Sequence, residues 1–263
     1  IDARKGILTQ TKRHSTIVNM LGVKKIVLAI NKMDLVNYSQ DIFNQILDDY
    51  KIFATQCGIT DFTAIAVSAL NGDNIIDKSN QMPWYNGQTL LTYLETVSLP
   101  KIKENSDFSM PVQWVNRPNL DVRGFSGQVS SGRVCVGDKI KVLPSGKKSV
   151  VDKIVTFDGN LKEAIRGQSV TLTLTDEIDI SRGDVLVSEG SEIQVASQFQ
   201  TKLLWMSEQK LIPGAQYWVK TRAKLLSASL SKPDYLLDVN TLEKTSASTL
   251  GLNEIGQCVL DLD

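Results

Sequence analysis

The stretch Asn31-Lys32-Met33-Asp34 limits what this chain can fold into more than any other, because of what precedes it. Lys25-Ile26-Val27-Leu28-Ala29-Ile30 is an apolar run of strand length, the pattern of a strand buried in a parallel sheet. In open α/β sheets, nucleotide sites lie beyond the carboxyl ends of such strands. A carboxylate at that place can accept hydrogen bonds from the N1–H and exocyclic amine of guanine, a donor pair that adenine lacks. Asn31 can hold the purine edge and a neighbouring loop together, and the Lys32 stem can lie over the ring face. The alternative is a plain strand end followed by a polar turn. The strand in front and a second motif behind favour guanine recognition.

That second motif is Ser68-Ala69-Leu70, which follows the apolar run Phe62-Thr63-Ala64-Ile65-Ala66-Val67. Alone it carries almost no information. In P-loop GTPases, however, a Ser-Ala pair follows the next parallel strand, and its backbone amide meets the guanine oxygen. Between the two motifs, Tyr38 to Gln56 places Ile42, Phe43, Ile46, Leu47, Tyr50 and Phe53 at helical spacing. Strand, helix, strand at this length predicts a right-handed crossover unit. Thr11 to Leu21, ended near Gly22, and Thr89 to Val97 read as further helices. His14 lies on the first of these and reads as structural or as a local hydrogen-bonding partner.

A GTPase also needs a glycine-rich phosphate loop ending in Gly-Lys-Ser or Gly-Lys-Thr, a hydroxyl and an Asp for magnesium, and switch loops. The sequence contains no such phosphate loop. Ile1-Asp2-Ala3-Arg4-Lys5-Gly6 reads as the end of a strand. The expectation is therefore a truncated nucleotide domain, with its phosphate chemistry and Mg2+ ligands upstream of Ile1 and no catalytic or metal-ligating residue within the chain.

Formal net charge is zero, so no strong attraction to nucleic acid is expected. No apolar stretch approaches membrane-spanning length, and no signal peptide is visible. Cys57, Cys135 and Cys258 are too far apart in sequence for a zinc site or a disulfide framework. They read as buried small apolar residues in a reducing compartment, and the chain as cytoplasmic.

The composition shifts at Pro100, and residues 100–107 read as a linker. Short runs rich in Val, Ile and Thr follow: Met110 to Val115, Phe125 to Ser130, Lys139 to Leu143, Val150 to Phe157, Ser169 to Leu174 and Asp184 to Val187. Turn signals separate them at Pro144-Ser145-Gly146, Asp158-Gly159-Asn160, Arg166-Gly167 and Arg182-Gly183-Asp184, an antiparallel barrel pattern. Gly124, Gly127 and Gly132 suggest strand bends or close backbone approach. Asn116 to Gly124 reads as an exposed loop carrying Arg117, Asp121 and Arg123, suited to a partner contact. From residue 191 a further unit begins, with strands near Phe199 to Met206, Gln216 to Lys220, Leu225 to Leu230, Leu236 to Asn240 and Gln257 to Leu262. The fold expected is multidomain α/β plus all-β. Residues 1–99 form the C-terminal half of a P-loop GTPase domain, a parallel sheet with helices. Residues 108–190 form a first elongation-factor-like β-barrel, and residues 191–263 a second, incomplete one.

The order of these domains resembles the translational GTPases. Gln10-Thr11-Lys12-Arg13-His14 and Gly22-Val23-Lys24-Lys25 are similar to the same region of elongation factors of the Tu and one-alpha type. A narrower resemblance runs over most of the chain. It is carried by Ile1-Asp2-Ala3-Arg4-Lys5-Gly6, Met82-Pro83-Trp84-Tyr85, Pro111-Val112-Gln113-Trp114-Val115-Asn116-Arg117-Pro118-Asn119-Leu120-Asp121, Val142-Leu143-Pro144-Ser145-Gly146, Ile154-Val155-Thr156-Phe157-Asp158-Gly159 and Leu174 to Asp184. These stretches resemble the large, GTP-binding subunit of bacterial ATP sulfurylase. The resemblance implies a subunit that couples GTP hydrolysis to formation of adenosine 5′-phosphosulfate from ATP and sulfate, in a cytoplasmic heterodimer with a small catalytic subunit. GTP with Mg2+ would be its cofactor. By position, Asn31 and Asp34 would read guanine, Lys32 would pack on it, and Ser68, Ala69 and Leu70 would close over it. His14 does not match the histidine that follows the family's Asp-x-x-Gly motif, because that motif would lie upstream.

Two other functions stay open at this point. One is an elongation factor carrying aminoacyl-tRNA, against which the acidic Thr175-Asp176-Glu177-Ile178-Asp179 weighs slightly. The other is a nucleotide-independent interaction module built on the barrels.

Overall fold

The computed structural model describes residues 1–98, 107–119, 122–221 and 223–262, which cluster into two compact units. The first unit comprises Ile1–Pro100, Lys202–Leu211 and Pro233–Gln257, and the second Lys101–Thr201, Ile212–Lys232 and Cys258–Asp263. Most of the expected linker, and Leu120 and Asp121 of the expected loop, lie outside the described residues.

The first unit begins with α1 (Thr9–Met20), β1 (Ile26–Ile30), α2 (Gln40–Cys57), β2 (Phe62–Ala66) and α3 (Leu90–Thr96). β1 and β2 are parallel, in register from Ile26 opposite Phe62 to Ile30 opposite Ala66. Ile1 to Ala3 run along the other side of β1: Asn31 N donates to Ile1 O at 2.8 Å and Ala3 N to Asn31 O at 2.9 Å. The expected crossover unit is present, and its helix has clear physical causes. Ser39 caps α2 by accepting from Ile42 N, Asp41 complements the positive end of the helix dipole, and Gly58 in the left-handed region ends the helix. α2 buries Phe43, Ile46, Tyr50, Phe53 and Ala54 along one face. α1 begins two residues before the expected Thr11 and buries little besides Ser15 and Thr16. Ser15 Oγ lies 3.0 Å from the hydroxyl of the fully buried Tyr50, which joins α1 to α2. Burial raises the Tyr50 pKa. α3 is shorter than the expected Thr89 to Val97 because Thr89 is its cap, accepting from Thr92 N.

Met82-Pro83-Trp84-Tyr85 closes this core. Met82 is buried, Trp84 Nε1 donates to Tyr38 O at 2.9 Å, and both aromatic rings pack on Phe43. Burial pushes the Tyr85 hydroxyl up to about 12.

The second unit holds β3 (Ser109–Pro111), β4 (Trp114–Asn119), β5 (Val122–Gln128), β6 (Arg133–Cys135), β7 (Lys139–Leu143), β8 (Lys148–Thr156), β9 (Gly159–Leu161), β10 (Glu163–Ile165), β11 (Ser169–Leu174) and β12 (Val185–Ser188). The main sheet runs β3-β12-β7-β8-β11-β5-β4, with β9 on β8; β6 and β10 form a separate pair. Neighbours are antiparallel. Met110, Val112, Phe125, Ile140, Val142, Ile154, Leu172 and Leu186 fill the interior. The expected strand Met110 to Val115 is two strands. The chain leaves β12 after Pro111 and joins β5 at Trp114, so the first and last strands of the sheet are one continuous run. That switch closes the sheet on itself and demands close backbone approach at Gly127, where a Cβ would stand 2.3 Å from Pro111 O. The short strands β6, β9 and β10 escape the sequence pattern because three residues carry too little alternation.

Two expectations need correction. Residues 116–119 belong to β4 and 122–124 to β5, so the described part of this segment is strand rather than loop, with irregular pairing between Asn116 and Asn119 and with Arg117 exposed as expected. Arg123, expected to be exposed there, is turned inward, its side chain 19% exposed. Its guanidinium donates to Ile178 O at 3.1 Å and Ile180 O at 3.3 Å and lies over the Phe125 ring. Of the cysteines, only Cys258 is buried; Cys57 and Cys135 are half-buried. Cys57 sits at the end of α2, and Cys135 lies in the short β6 beside Glu163, where burial and Asp138 push its thiol up.

The remaining strands are β13 (Gln198–Leu204), β14 (Gln216–Lys220), β15 (Leu225–Leu230), β16 (Tyr235–Leu237), β17 (Lys244–Thr245) and β18 (Ile255–Leu262). Within the first unit, β16 pairs with β17 and with the start of β18. Within the second, β14 and β15 form a hairpin and β15 pairs with the end of β18. The expected strand Leu236 to Asn240 stops at Leu237, because Asp238 Oδ1 accepts from Asn240 N and Thr241 N and turns the chain. No helix among the described residues is long and apolar enough to cross a membrane.

The closure of the second unit can be tested at its glycines. Gly127→Ala should destabilise the barrel by about 1–3 kcal/mol through backbone overlap. Gly190→Ala, where a Cβ meets nothing within 4 Å, should stay within about 0.5 kcal/mol of the parent. Native-state hydrogen exchange of the barrel amides measures both.

Candidate functional site

The carboxyl ends of β1 and β2 carry the two sequence motifs, and the structure brings them together. Val67 N donates to Ile30 O at 2.9 Å and Met33 N to Val67 O at 3.2 Å, which extends the pairing past both strands. Met33, fully buried, anchors a 3-10 turn over Met33–Val36. Lys32, between strand and turn, takes the left-handed conformation at φ 67°. Such a conformation is uncommon for a residue with a side chain. It is supported here because Asn31 Oδ1 accepts from Lys32 N at 2.7 Å. The same oxygen accepts from Ala69 N at 3.0 Å. Asn31 thus holds the turn after one strand to the turn after the other.

Asp34 is half-buried, and its Oδ1 accepts from Ser68 Oγ at 2.6 Å. Ser68 is fully buried, and its own N–H and C=O are both paired with Asp73 across a closed loop. Among the described residues no donor reaches Asp34 Oδ2. The result is a fixed carboxylate, one oxygen braced by a serine and the other open. This is the acceptor set that a base edge with two adjacent N–H groups would require, the open Oδ2 together with the second lone pair of Oδ1. Ala69 is exposed, and its N–H, expected to meet the guanine oxygen, points its hydrogen bond at Asn31. The Leu70 side chain is 88% exposed and packs on nothing that would hold it.

A second ring of residues, unassigned by sequence, supports the loop after β2. Tyr38 OH donates to Asp73 Oδ2 at 3.1 Å and accepts from Asn71 Nδ2 at 3.1 Å. The Asn71 amide lowers the Tyr38 pKa, but burial and the Asp73 carboxylate outweigh it, so the net shift is upward. Ser79 Oγ donates to Asp73 Oδ1 at 2.6 Å. Buried Asn74 donates to Ala66 O and accepts from Ser79 N. The available signal was Asn71-Gly72, a turn dipeptide directly after Ser68-Ala69-Leu70. Lys32 Nζ lies 3.0 Å from Asp2 Oδ2. His14 is exposed on α1, within the first unit. Among the described residues, no group of His, Cys, Asp and Glu side chains could hold a metal ion.

Residues 1–113 match the Elongation factor Tu GTP binding domain family, residues 125–187 match Elongation factor Tu domain 2, and residues 198–263 match the GTP-eEF1A C-terminal domain-like family. The solved structure of Sup35 complexed with GMPPNP shares the fold, with a TM-score of 0.55 at 22% identity over all of this chain and 68% of that one. The matched segments describe a partial GTP-binding domain of the elongation factor Tu type followed by β domains. The chain is also similar to several sulfate adenylyltransferase subunit 1 proteins. It is 52% identical to Sulfate adenylyltransferase subunit 1 of Aliarcobacter butzleri over all of this chain and 56% of that protein. It is 50% identical to the same subunit of Saccharophagus degradans, over all of this chain and 56% of that protein. It is also 50% identical to the Bifunctional enzyme CysN/CysC of Rhodopirellula baltica, over all of this chain and 41% of that protein. The chain spans about half the length of the subunit 1 relatives it matches.

Asn31→Ala should leave the Lys32 and Ala69 N–H groups without their shared acceptor. Amide exchange at both should accelerate by roughly 10-fold or more, as expected for bonds worth about 1–2 kcal/mol, with little change in the second unit. Unchanged protection at Ala69 would show that the two turns are held by something else.

Proposed function

We propose that this chain is part of the GTP-binding subunit of a sulfate adenylyltransferase, in which GTP hydrolysis supports formation of adenosine 5′-phosphosulfate from ATP and sulfate. The observation that carries the nucleotide reading is the Asp34 carboxylate, braced by Ser68 and set beside Asn31 at the ends of two parallel strands. The subunit 1 relatives at about half identity support the pathway. Asn31 and Asp34 read the base, Lys32 lies along it, and the Ser68-Ala69-Leu70 turn closes over it. The word "subunit" in the relatives' name supports a second polypeptide as partner, a small catalytic subunit in the cytoplasm. The phosphates and Mg2+ would be held by residues that this sequence does not contain. The same reading divides the chain into residues 1–99, 108–190 and 191–263.

The residues present make base recognition possible without phosphate chemistry. Affinity for the base alone should be millimolar, about 4 kcal/mol. In NMR titrations of this chain, guanine nucleotides should shift Asn31, Asp34 and Ala69 while adenine nucleotides do not. Asp34→Asn should weaken guanine nucleotides about ten- to hundred-fold and favour xanthine ones, since an amide N–H replaces the lost acceptor. Equal response to guanine and adenine nucleotides would overturn the reading. With GTP and Mg2+ the chain should release phosphate no faster than buffer, because the transition-state charge has nothing here to stabilise it.

A further inference from the structure

Asp2 is a carboxylate beside the site that the base-recognition reading leaves without a task. It lies on the segment that flanks β1 and is bridged in parallel to Asn31, the first residue of the motif. Its Oδ1 accepts from Arg4 N and Arg4 Nε, both at 3.0 Å. Its Oδ2 accepts from Arg4 Nη2 at 2.7 Å and from Lys32 Nζ at 3.0 Å. The Arg4 bonds, with that of Lys32, hold the Asp2 carboxyl far below the ordinary carboxylate range. The Asp2 side chain is 18% exposed, while those of Arg4 and Lys32 are 45% and 46% exposed. Ion pairs with partners this exposed contribute little to stability, so stability does not account for the arrangement.

We propose that Asp2 is a positioning residue for base recognition, which pins the Lys32 side chain beside the base site and withholds Arg4 from Asp34. The proposal rests on the reading of Asn31 and Asp34 as guanine-binding residues. Two features of the geometry carry it. First, the Lys32 backbone is fixed in the left-handed conformation by Asn31, and its ammonium is fixed by Asp2. With both ends of the aliphatic stem held, the stem forms a set surface, and a flat ligand placed on it need not supply the entropy of ordering a free lysine. Second, Arg4 is held on Asp2, which is bridged to Asn31 three residues before Asp34, so its guanidinium stands at the same strand end as Asp34, whose charge favours the protonated guanidinium. An arginine released from Asp2 would find on Asp34 a carboxylate with an open oxygen. It would then occupy the acceptor that the base needs. The two-pronged bond from Nε and Nη2 to Asp2 prevents this, and a guanidinium fork favours such a planar, bidentate partner over a single open oxygen.

The test uses the chain as it stands, with guanosine monophosphate as probe and adenosine monophosphate as control. Guanosine monophosphate affinity and the Lys32 side-chain carbon and proton shifts are read together. Asp2→Asn should weaken guanosine monophosphate about three- to tenfold, and the Lys32 ε signals should collapse to the values of a freely rotating lysine. Asp2→Glu, which keeps the charge, should retain most of the affinity. Arg4→Ala alone should change little, because Asp2 still holds Lys32. Arg4→Ala added to Asp2→Asn should recover part of the loss, a coupling that only competition for Asp34 produces. If Asp2→Asn keeps both parent affinity and parent Lys32 shifts while Asp34→Ala abolishes binding, Asp2 has no positioning role and the guanine reading stands. If Asp34→Ala leaves guanosine monophosphate binding intact, the guanine reading falls and this proposal with it.

Discussion

Asn31 Oδ1 accepts from Lys32 N and Ala69 N, and those two bonds set the geometry at the ends of β1 and β2. A backbone carbonyl could not do this, since it would have to leave the ladder that pairs the strands. A shorter side chain would not reach both turns. With the oxygen in place, Lys32 can hold a left-handed backbone, Met33 can drop into the core, and Asp34 emerges from the 3-10 turn facing Ser68. The candidate site is therefore built from the core outward. Ile30, Met33, Ile65 and Val67 are buried, and the polar groups stand on that floor. Each such side chain contributes about 1.5–3 kcal/mol of burial, which dominates any single polar contact at the surface above it.

The loop after β2 shows how much support one exposed turn requires. Ser68 gives its hydroxyl to Asp34 and its backbone to Asp73. Asp73 in turn is held by Tyr38 and Ser79, and Tyr38 also carries the Trp84 indole on its carbonyl. Trp84 belongs to the segment that covers Phe43 of α2. A chain of bonds thus runs from the helix core to the turn after β2. Removing any member would loosen the turn before it disturbed the sheet.

The second unit meets a different demand. A twisted antiparallel sheet has edges, and here the chain removes them by running directly from the first strand of the sheet to its last. Arg123 illustrates the cost of reading such a region by composition. In sequence it is a charged residue among turn formers. In the fold it satisfies the carbonyls of Ile178 and Ile180, which no strand partner reaches, and lies on Phe125.

The parts that the sequence determined by itself are those governed by local patterning. β1, α2 and β2 follow from apolar periodicity, the Ser39 cap and Gly58, and they place Asn31-Lys32-Met33-Asp34 and Ser68-Ala69-Leu70 at strand ends. Strands β7, β11, β14 and β15 have the bounds that alternation and turn residues gave them. Tertiary structure alone decided the rest. Asp2 and Lys32 are thirty residues apart, Tyr38 and Asp73 thirty-five, and Arg123 and Ile178 fifty-five. No window of sequence contains both partners of such a bond, and each residue alone reads as an ordinary polar surface position. Periodicity records which face of an element is buried; it does not record which polar group another element will bring to meet it, and that depends on how the packed core sets the register of strands distant in the chain.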